Sequence, residues 1–296
     1  MKLADFVSVG YNWVDIVGLV LLCVVPIGLA LHFTGNILTG RFRKRFILGN
    51  WPHHDKPYKP LPRRLMHLIH VICMVGLAIT GFYVHFPFFD ANRVLIKYLH
   101  YVFAFVVGVN YIGRVWWAFF SDYPDYDEFG LTWREIKTVP AVIKYYIFLA
   151  DSKPHLADFN PMQKFTYLSF AAVMPIIGLT GISLIFGQWI LPPVAGLFGD
   201  LPTTKLVLRF IHYLCNWFFV IFTVVHAYLA VSEDLPAFLY FFFNIEPKHH
   251  DDHGHGGHEE HGVSAGHGSH EASPLHETAA PYASAGHDVY PEGGHV

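Results

Sequence analysis

Residues 206–232 read LVLRFIHYLCNWFFVIFTVVHAYLAVS, a run that is long and apolar enough to cross a lipid bilayer as one helix. The run contains two histidines, His212 and His226, which are 14 residues apart. In a helix this spacing returns to within roughly 40° of the same face, and it separates the two side chains by roughly 21 Å along the axis. Because a polar ring is costly inside a membrane, two histidines on one face at opposite depths predict two metal centres stacked across the bilayer.

The composition is that of a polytopic membrane protein. Of the 296 residues, 53% are hydrophobic, and the mean hydropathy is +0.35. The net charge of −3 is small, and basic residues gather beside the apolar runs, which argues against nucleic-acid binding. Cys23, Cys73 and Cys215 lie inside apolar runs without a C-x-x-C motif, which argues against c-type haem, a cysteine-held cluster and disulfides. We therefore expect any metal to be held by histidine.

Five apolar runs predict five transmembrane helices, over residues 13–34, 65–86, 95–119, 165–187 and 206–232. Between the first two lies GRFRKRFILGNWPHHDKPYKPLPRR, which contains eight Lys or Arg residues and one acid. This bias predicts that the segment lies in the cytoplasm, with the N-terminus periplasmic and the C-terminus cytoplasmic. Two further apolar runs, 141–150 and 189–198, are too short to cross and are expected at the membrane interface.

The composition changes completely from Lys248 onward. This tail contains eleven of the 21 histidines of the chain, together with Gly, Asp, Glu and Ala. Such a sequence cannot bury a core, so we expect a solvated tail or a docking arm, with loose binding of Zn or Ni as the alternative. The sequence thus divides into a first helix with its basic linker (1–64), a four-helix domain (65–246) and the tail (247–296).

Histidines at matching depths predict two haem b sites, since a bis-histidine haem takes one ligand from each of two facing helices. His100 lies five residues into the third run, and His212 lies about six residues into the last helix. Both positions are near the outer surface, so the two predict an outer haem. His226 lies near the inner end of the last helix, at the depth of RRLMHLIH in the second run. The inner haem is therefore predicted between His226 and either His67 or His70.

Several polar and small residues near these histidines have two interpretations each. Arg64 and Arg209 precede a histidine by three residues, about one helical turn, and would contact haem propionates or anchor the helix at the interface. Gly81 and Gly181 would admit a flat macrocycle or allow close helix packing.

Two other histidines have no partner at matching depth. His32 lies at the inner end of the first run, and we assign it to packing or to the interface. His85 lies at the outer end of the second run and is expected to be solvated.

The stretch RRLMHLIHVICMVGLAITG resembles the cytochrome b subunits of respiratory Ni-Fe hydrogenases and, more distantly, the gamma subunits of membrane formate dehydrogenases. The similarity continues through IKYLHYVFAFVVGVNYIGRVWWAFFSD, FNPMQKFTYLSFAAVMPIIGLTG and LRFIHYLCNWFFVIFTVVHAYLAVSED, and covers about residues 65–235. The family's R-x-x-H and T-G patterns align on Arg64, His67, Thr80 and Gly81, so the resemblance implies His67 as the inner ligand. The first helix and the histidine-rich tail are additions to the family's four-span core.

The resemblance implies an all-α membrane protein, a four-helix dihaem cytochrome b bundle with an extra N-terminal transmembrane helix and a His-rich C-terminal tail. It implies an anchor subunit in the bacterial cytoplasmic (inner) membrane, holding two haem b. Such a subunit carries electrons between the iron–sulfur and catalytic subunits of a periplasm-facing oxidoreductase, a hydrogenase or a formate dehydrogenase, and the quinone pool. In the formate dehydrogenase branch the segment FNPMQK helps to bind the quinone, menaquinone or ubiquinone. This implies Asn160, Gln163 and His226 as quinone contacts, although Asn160 is equally suited to cap the fourth run.

Two other functions fit parts of the sequence. Five spans also occur in thiosulfate reductase-type cytochromes, which would run the reaction as quinol oxidation. A metal-handling membrane protein would collect Ni or Zn on the tail and pass it along the histidines. A transport path of that kind needs carboxylates inside the spans, and these are scarce apart from Asp15.

Overall fold

The computed structural model describes residues 3–51, 60–154 and 159–245 of the chain. Within those ranges the chain forms helices and their connections and contains no strand, which confirms the all-α class. The histidine-rich tail and residues 52–59 of the basic linker lie outside the described residues, so the division into 1–64, 65–246 and 247–296 stays a prediction.

Five helices are long and apolar enough to cross a membrane, in agreement with the five predicted spans. They are α1 (Leu3–Leu38), α2 (Leu61–His85), α3 (Arg93–Phe120), α6 (Pro161–Ile185) and α8 (Leu201–Glu233). The described part also contains four short α-helices: α4 (Trp133–Ile136), α5 (Val139–Tyr146), α7 (Gly187–Val194) and α9 (Leu235–Phe243). Three further helical turns cover Arg43–Ile47, Tyr126–Phe129 and Ala195–Leu197.

Polar caps begin two of the long helices, α8 and α3, before their apolar runs. The Asp200 carboxylate accepts a hydrogen bond from the Thr203 N–H at 2.7 Å, so α8 begins five residues before the predicted span. Asn92 caps α3 in the same way, accepting from the backbone N–H groups of Val94 and Leu95. The two short runs predicted at the interface fall on α5 and α7.

The long helices are arranged as two hairpins with α1 on one side. α2 packs along α3, α6 packs along α8, and α1 lies against α8. Glycines allow close approach at these contacts: the Phe103 ring of α3 lies 2.6 Å from the place a Cβ of Gly76 would occupy. The Trp217 indole of α8 fills the space beside Gly18 of α1 in the same manner.

Ion pairs fasten one end of the helix bundle. Arg45, after α1, donates to the Glu233 carboxylate at 3.0 Å, and Lys153 donates to the same carboxylate at 2.9 Å. The Glu135 carboxylate accepts from the Lys164 ammonium of α6 at 2.7 Å, and this bond with Lys164 holds the pKa of Glu135 below its usual value. The loop that follows α3 is thereby tied to the beginning of α6.

The contact between Gly18 and Trp217 predicts that α1 docks on α8 through this point. We expect Gly18→Leu to lower the stability of the protein by about 1–3 kcal/mol, the usual cost of overpacking. Gly28→Leu is the matched control, because a Cβ there meets nothing within 4 Å. Thermal unfolding in detergent measures both, and equal melting temperatures for the two variants would contradict this docking.

Candidate functional site

The outer histidines face each other across the two hairpins. The rings of His100 on α3 and His212 on α8 have centroids 6.4 Å apart and planes inclined by 65°. Both side chains are half-buried between the helices. The structure therefore brings together the pair that the sequence predicted from depth alone.

A threonine on α2 fixes the tautomer of His100. The Thr80 hydroxyl donates its single proton to the Gly76 carbonyl one turn earlier, at 2.6 Å. Its oxygen also lies 2.9 Å from the Nδ1 of His100, and in that contact it can act as the acceptor. Nδ1 of His100 therefore carries the proton, and Nε2 keeps a free lone pair.

The second hairpin repeats this arrangement around His212. The Thr180 hydroxyl of α6 donates to the Ile176 carbonyl at 2.8 Å and lies 3.1 Å from the Nδ1 of His212. The Ile177 carbonyl, a second acceptor, lies 3.1 Å from the same Nδ1. His212 therefore has the same tautomer as His100, with the Nε2 lone pair available to a metal.

Glycines make room for both rings. A Cβ at Gly81 would lie 3.3 Å from Cε1 of His100, and a Cβ at Gly181 would lie 3.1 Å from Cε1 of His212. The structure thus packs an imidazole beside each glycine, and the approach of a macrocycle to these glycines stays a prediction.

Sequence reasoning named Thr80 only as part of the T-G pattern, and it missed the hydrogen-bonding role of both threonines. The signal was an internal repeat: KYLHY (97–101) and RFIHY (209–213) each pair with a T-G step, at Thr80 and at Thr180. Each hairpin carries one copy on corresponding helices. The repeat indicates that the two halves build equivalent niches around the two histidines.

This pair fits an iron with two axial imidazoles. A metal bound at about 2 Å to each of two opposed Nε2 atoms requires ring centroids about 6 Å apart, and the observed separation is 6.4 Å. The hydrogen bond from each Nδ1 to an acceptor is the outer-shell support that ligating histidines normally have.

The inner histidines lie together but without ring contact. His67 of α2 lies within electrostatic range of both His226 and His70. Its ring meets Phe241 edge-on, with centroids 5.0 Å apart, and its Nδ1 is buried with no hydrogen-bond partner in the described chain. The His226 ring meets Tyr167 edge-on at 5.8 Å. The choice between His67 and His70 as inner ligand therefore stays open in the geometry.

Residues 58–243 match the family described as prokaryotic cytochrome b561. The chain belongs to this family. It is a membrane cytochrome b of the hydrogenase type, and the family implies haem b.

Curated relatives carry matching names. The chain is 27% identical over 203 residues to the probable Ni/Fe-hydrogenase B-type cytochrome subunit of Cupriavidus necator, covering 59% of this chain and 78% of the relative. The similarly named subunit of Azotobacter vinelandii is 26% identical over 202 residues, covering 59% and 79%. The probable Ni/Fe-hydrogenase 1 B-type cytochrome subunit of Escherichia coli K12 is 25% identical over 191 residues, covering 59% and 81%.

The two predicted propionate partners of this cytochrome have different surroundings. Arg64 is buried and donates to the carbonyl oxygens of Tyr240 and Phe241 at 2.7 and 3.0 Å, so it anchors α9. Arg209 is exposed on α8. The propionate role stays a prediction for both.

Two other arginines lie closer to the inner histidines than the sequence indicated. Arg63 and Arg114 both act electrostatically on His67. Each also pairs with the buried Asp125 carboxylate at 2.8 Å. The sequence signal for Arg63 was the R-R pair that precedes His67. Arg114 is distant from His67 in sequence, and no local motif pointed to it.

Asn160 and Gln163 form the capping box of α6. The Asn160 side chain accepts from the Gln163 N–H at 3.0 Å, and the Gln163 side chain accepts from the Asn160 N–H at 2.9 Å. The predicted capping role of Asn160 is therefore confirmed. Its amide Nδ2 lies 3.5 Å from the hydroxyl of Tyr146, outside the cap.

The two histidines without a partner at matching depth both pack between helices: His85 contacts α1, and His32, which lies on α1, contacts α8. The prediction that His85 is solvated is wrong: its ring lies 4.4 Å from that of Tyr213, and its Nε2 lies 3.4 Å from the Asp15 carboxylate of α1. An acidic partner in another helix keeps it between the helices. His32 does pack, with its Nδ1 2.7 Å from the Tyr228 hydroxyl.

Thr80→Val tests the support of His100, since it removes the acceptor of the Nδ1 proton at nearly constant volume. We expect haem affinity to fall by about 10–100-fold, the usual effect of losing an outer-shell partner. Thr166→Val is the matched control, because the Thr166 hydroxyl of α6 also donates to a carbonyl one turn back, that of Met162. Haem transfer to apomyoglobin measures the difference; equal transfer from both variants would contradict the role of Thr80.

Proposed function

We propose that this protein is the membrane-anchoring dihaem cytochrome b subunit of a hydrogenase, and that it transfers electrons between a periplasm-facing iron–sulfur partner and the membrane quinone pool. The opposed imidazoles of His100 and His212, each with its Nδ1 proton bound by the partner helix, are the observation that carries the proposal.

His100 and His212 would hold the outer haem b. When bound, the haem supplies one-electron oxidation and reduction at its iron. The protein's contribution is to present two Nε2 lone pairs at a fixed separation and to keep both rings from rotating. The Thr80 and Thr180 hydroxyls do this, since each accepts the proton that fixes the ring.

His226 with His67 would hold the inner haem. His226 lies four turns beyond His212 on α8, which corresponds to roughly 21 Å along the membrane normal if the helix is upright. The His67 ring lies within electrostatic range of His226, as two ligands of one haem would, and it packs edge-on against Phe241.

The distribution of basic residues supports one orientation in the bacterial cytoplasmic membrane. The chain that follows α1 carries Arg41, Arg43, Lys44 and Arg45, and α2 begins with Arg63 and Arg64. These positions share one end of the bundle, which would be cytoplasmic. The N-terminus of α1 and the beginnings of α3 and α8 would then face the periplasm.

The partner is proposed from the relatives. Their names are Ni/Fe-hydrogenase B-type cytochrome subunits. The partner would therefore be the iron–sulfur and catalytic subunits of a hydrogenase, with the iron–sulfur subunit docked beside the outer haem. In the described part of the chain, no group of three or more His, Cys, Asp or Glu side chains is placed to hold a metal ion, which gives the metal-handling alternative no support there.

The quinone site would lie at the beginning of α6, beside His226. The Asn160 Oδ1 and the Gln163 Oε1 are occupied by the capping box, which leaves the amide N–H groups of both residues to donate to a quinone oxygen. Asn160 is buried, at 8% exposure, so such a bond would be shielded from water.

Counting haems in single variants tests the ligand assignment. We expect two haem b per wild-type chain in a pyridine haemochrome assay and one in His67→Ala. His70→Ala is the control and should retain two, because the second ligand of the inner haem remains. One haem in His70→Ala together with two in His67→Ala would move the assignment to His70.

The quinone role of Asn160 can be separated from its capping role. Asn160→Ser keeps an N-cap oxygen but lacks the amide donor, whereas Asn160→Ala loses both. We expect quinone to reoxidise the haems slowly in both variants, and stability to fall by about 1 kcal/mol in the alanine variant alone. Stopped-flow spectroscopy and thermal unfolding measure the two effects. A wild-type rate in Asn160→Ser would remove this residue from the quinone site.

A further inference from the structure

Two hydrogen-bond donors for which the described residues supply no well-placed acceptor lie where α1, α5 and α6 come together. One is the hydroxyl of Tyr146 on α5, and the other is the Nε2–H of His32 on α1. Their ring centroids are 6.1 Å apart. Tyr146 lies beside Asn160, at the edge of the proposed quinone site.

The proton of the Tyr146 hydroxyl is uncommitted. The oxygen accepts from Asn160 Nδ2 at 3.5 Å, and this is the hydrogen bond that the structure describes for this hydroxyl. Burial and the nearby Glu233 carboxylate raise the pKa of Tyr146, so the group stays protonated at neutral pH. Tyr146 therefore presents an O–H donor next to the Asn160 amide.

The tautomer of His32 follows from the groups at its Nδ1. The Nδ1 of His32 lies 2.7 Å from the Tyr228 hydroxyl and 3.2 Å from the Nδ2 of Asn36, which also donates to the His32 carbonyl at 3.1 Å. With these two donors on Nδ1, Nε2 carries the proton. Nε2 is buried and makes no well-formed hydrogen bond among the residues that the structure describes, although the backbone of Tyr146 lies near the ring. A buried N–H of this kind calls for an acceptor.

The wall beside His32 is aromatic, since its ring has that of Phe148 at 5.1 Å, measured between centroids. A ligand that suits this junction is flat and apolar and carries oxygen acceptors that reach donors on different helices. A quinone headgroup has this chemistry.

We propose that Tyr146 and His32 bind the quinone headgroup on the α1 side of its site, and that Tyr146 protonates one of its oxygens. This inference rests on the proposed quinone site at Asn160. α1 precedes the family-matched residues 58–243, so an addition to the family core would complete the site.

The proton and electron balance is as follows. Reduction of the quinone needs two electrons, which the haems would supply when bound, and it makes the quinone oxygens basic. As a new O–H bond forms on one oxygen, the O–H bond of Tyr146 breaks, and the tyrosinate regains a proton from cytoplasmic water. The second oxygen takes its proton from water as well, and quinol leaves. His32 donates a hydrogen bond throughout and keeps its proton.

The kinetic test uses the complete, haem-loaded protein in nanodiscs. The haems are reduced with dithionite, and menadione or decylubiquinone is added in a stopped-flow spectrometer. We expect Tyr146→Phe to lower the maximal rate of haem reoxidation by about 100-fold or more, the contribution of a positioned general acid. Tyr145→Phe is the matched control and should react like wild type, because the Tyr145 hydroxyl accepts from Arg45 on the other side of α5.

His32 should act on binding instead of on the maximal rate. We expect His32→Phe to raise the quinone concentration for half-maximal rate by about tenfold, the effect of one lost hydrogen bond. Because this change also removes the bond to Tyr228, Tyr228→Phe is the control: it cuts the same bond and keeps the Nε2–H, so it should bind quinone normally.

Titration calorimetry of quinone with the oxidised protein gives a readout independent of turnover. Tyr146→Phe and His32→Phe should bind more weakly than their controls. If each variant matches its control, a water molecule satisfies these donors and the inference is wrong. If quinone fails to reoxidise the wild-type haems, the proposed function itself is wrong, which is a distinct result.

Discussion

The hydrogen bond from a histidine Nδ1–H to a threonine oxygen on the facing helix is the interaction on which the site depends. The threonine has one proton, and a carbonyl of its own helix already accepts it, at 2.6 Å for Thr80 and 2.8 Å for Thr180. The hydroxyl can then serve the imidazole as an acceptor. This sets the tautomer and leaves the Nε2 of His100 and of His212 as the nitrogen with the lone pair. A haem ligand requires such a lone pair.

The membrane imposes a second constraint, since polar groups inside it need partners. Polar residues of α1 and of the turn after it have partners on α8: Asp15 accepts from the Tyr213 hydroxyl at 2.5 Å near one end, and Arg45, after α1, pairs with Glu233 at the other. These contacts fix α1 beside the family core. They also place His32 near Tyr146, which links the added helix to the proposed quinone chemistry.

Hydropathy and helical period were sufficient to predict the spans and the depths of the histidines, because both depend on one helix at a time. The pairing of His100 with His212 followed from depth alone. Contacts that depend on the rotation of one helix against another were beyond the sequence: Thr80 beneath His100, and His85 beside Asp15. The sequence predicted an interfacial or propionate role for Arg64. Its actual acceptors are carbonyl oxygens of α9, and nothing in the sequence around Arg64 indicated that α9 would lie beside it.

The central claim is that His100 and His212 bind one haem with inclined imidazole planes. Low-temperature electron paramagnetic resonance of the oxidised protein tests this most directly, since strongly inclined axial imidazoles give a low-spin haem a highly anisotropic low-field signal. The observed inclination of 65° predicts that signal in the wild-type protein and its loss in His212→Ala. A spectrum with high-spin haem alone, or an anisotropic signal that persists without His212, would contradict the account.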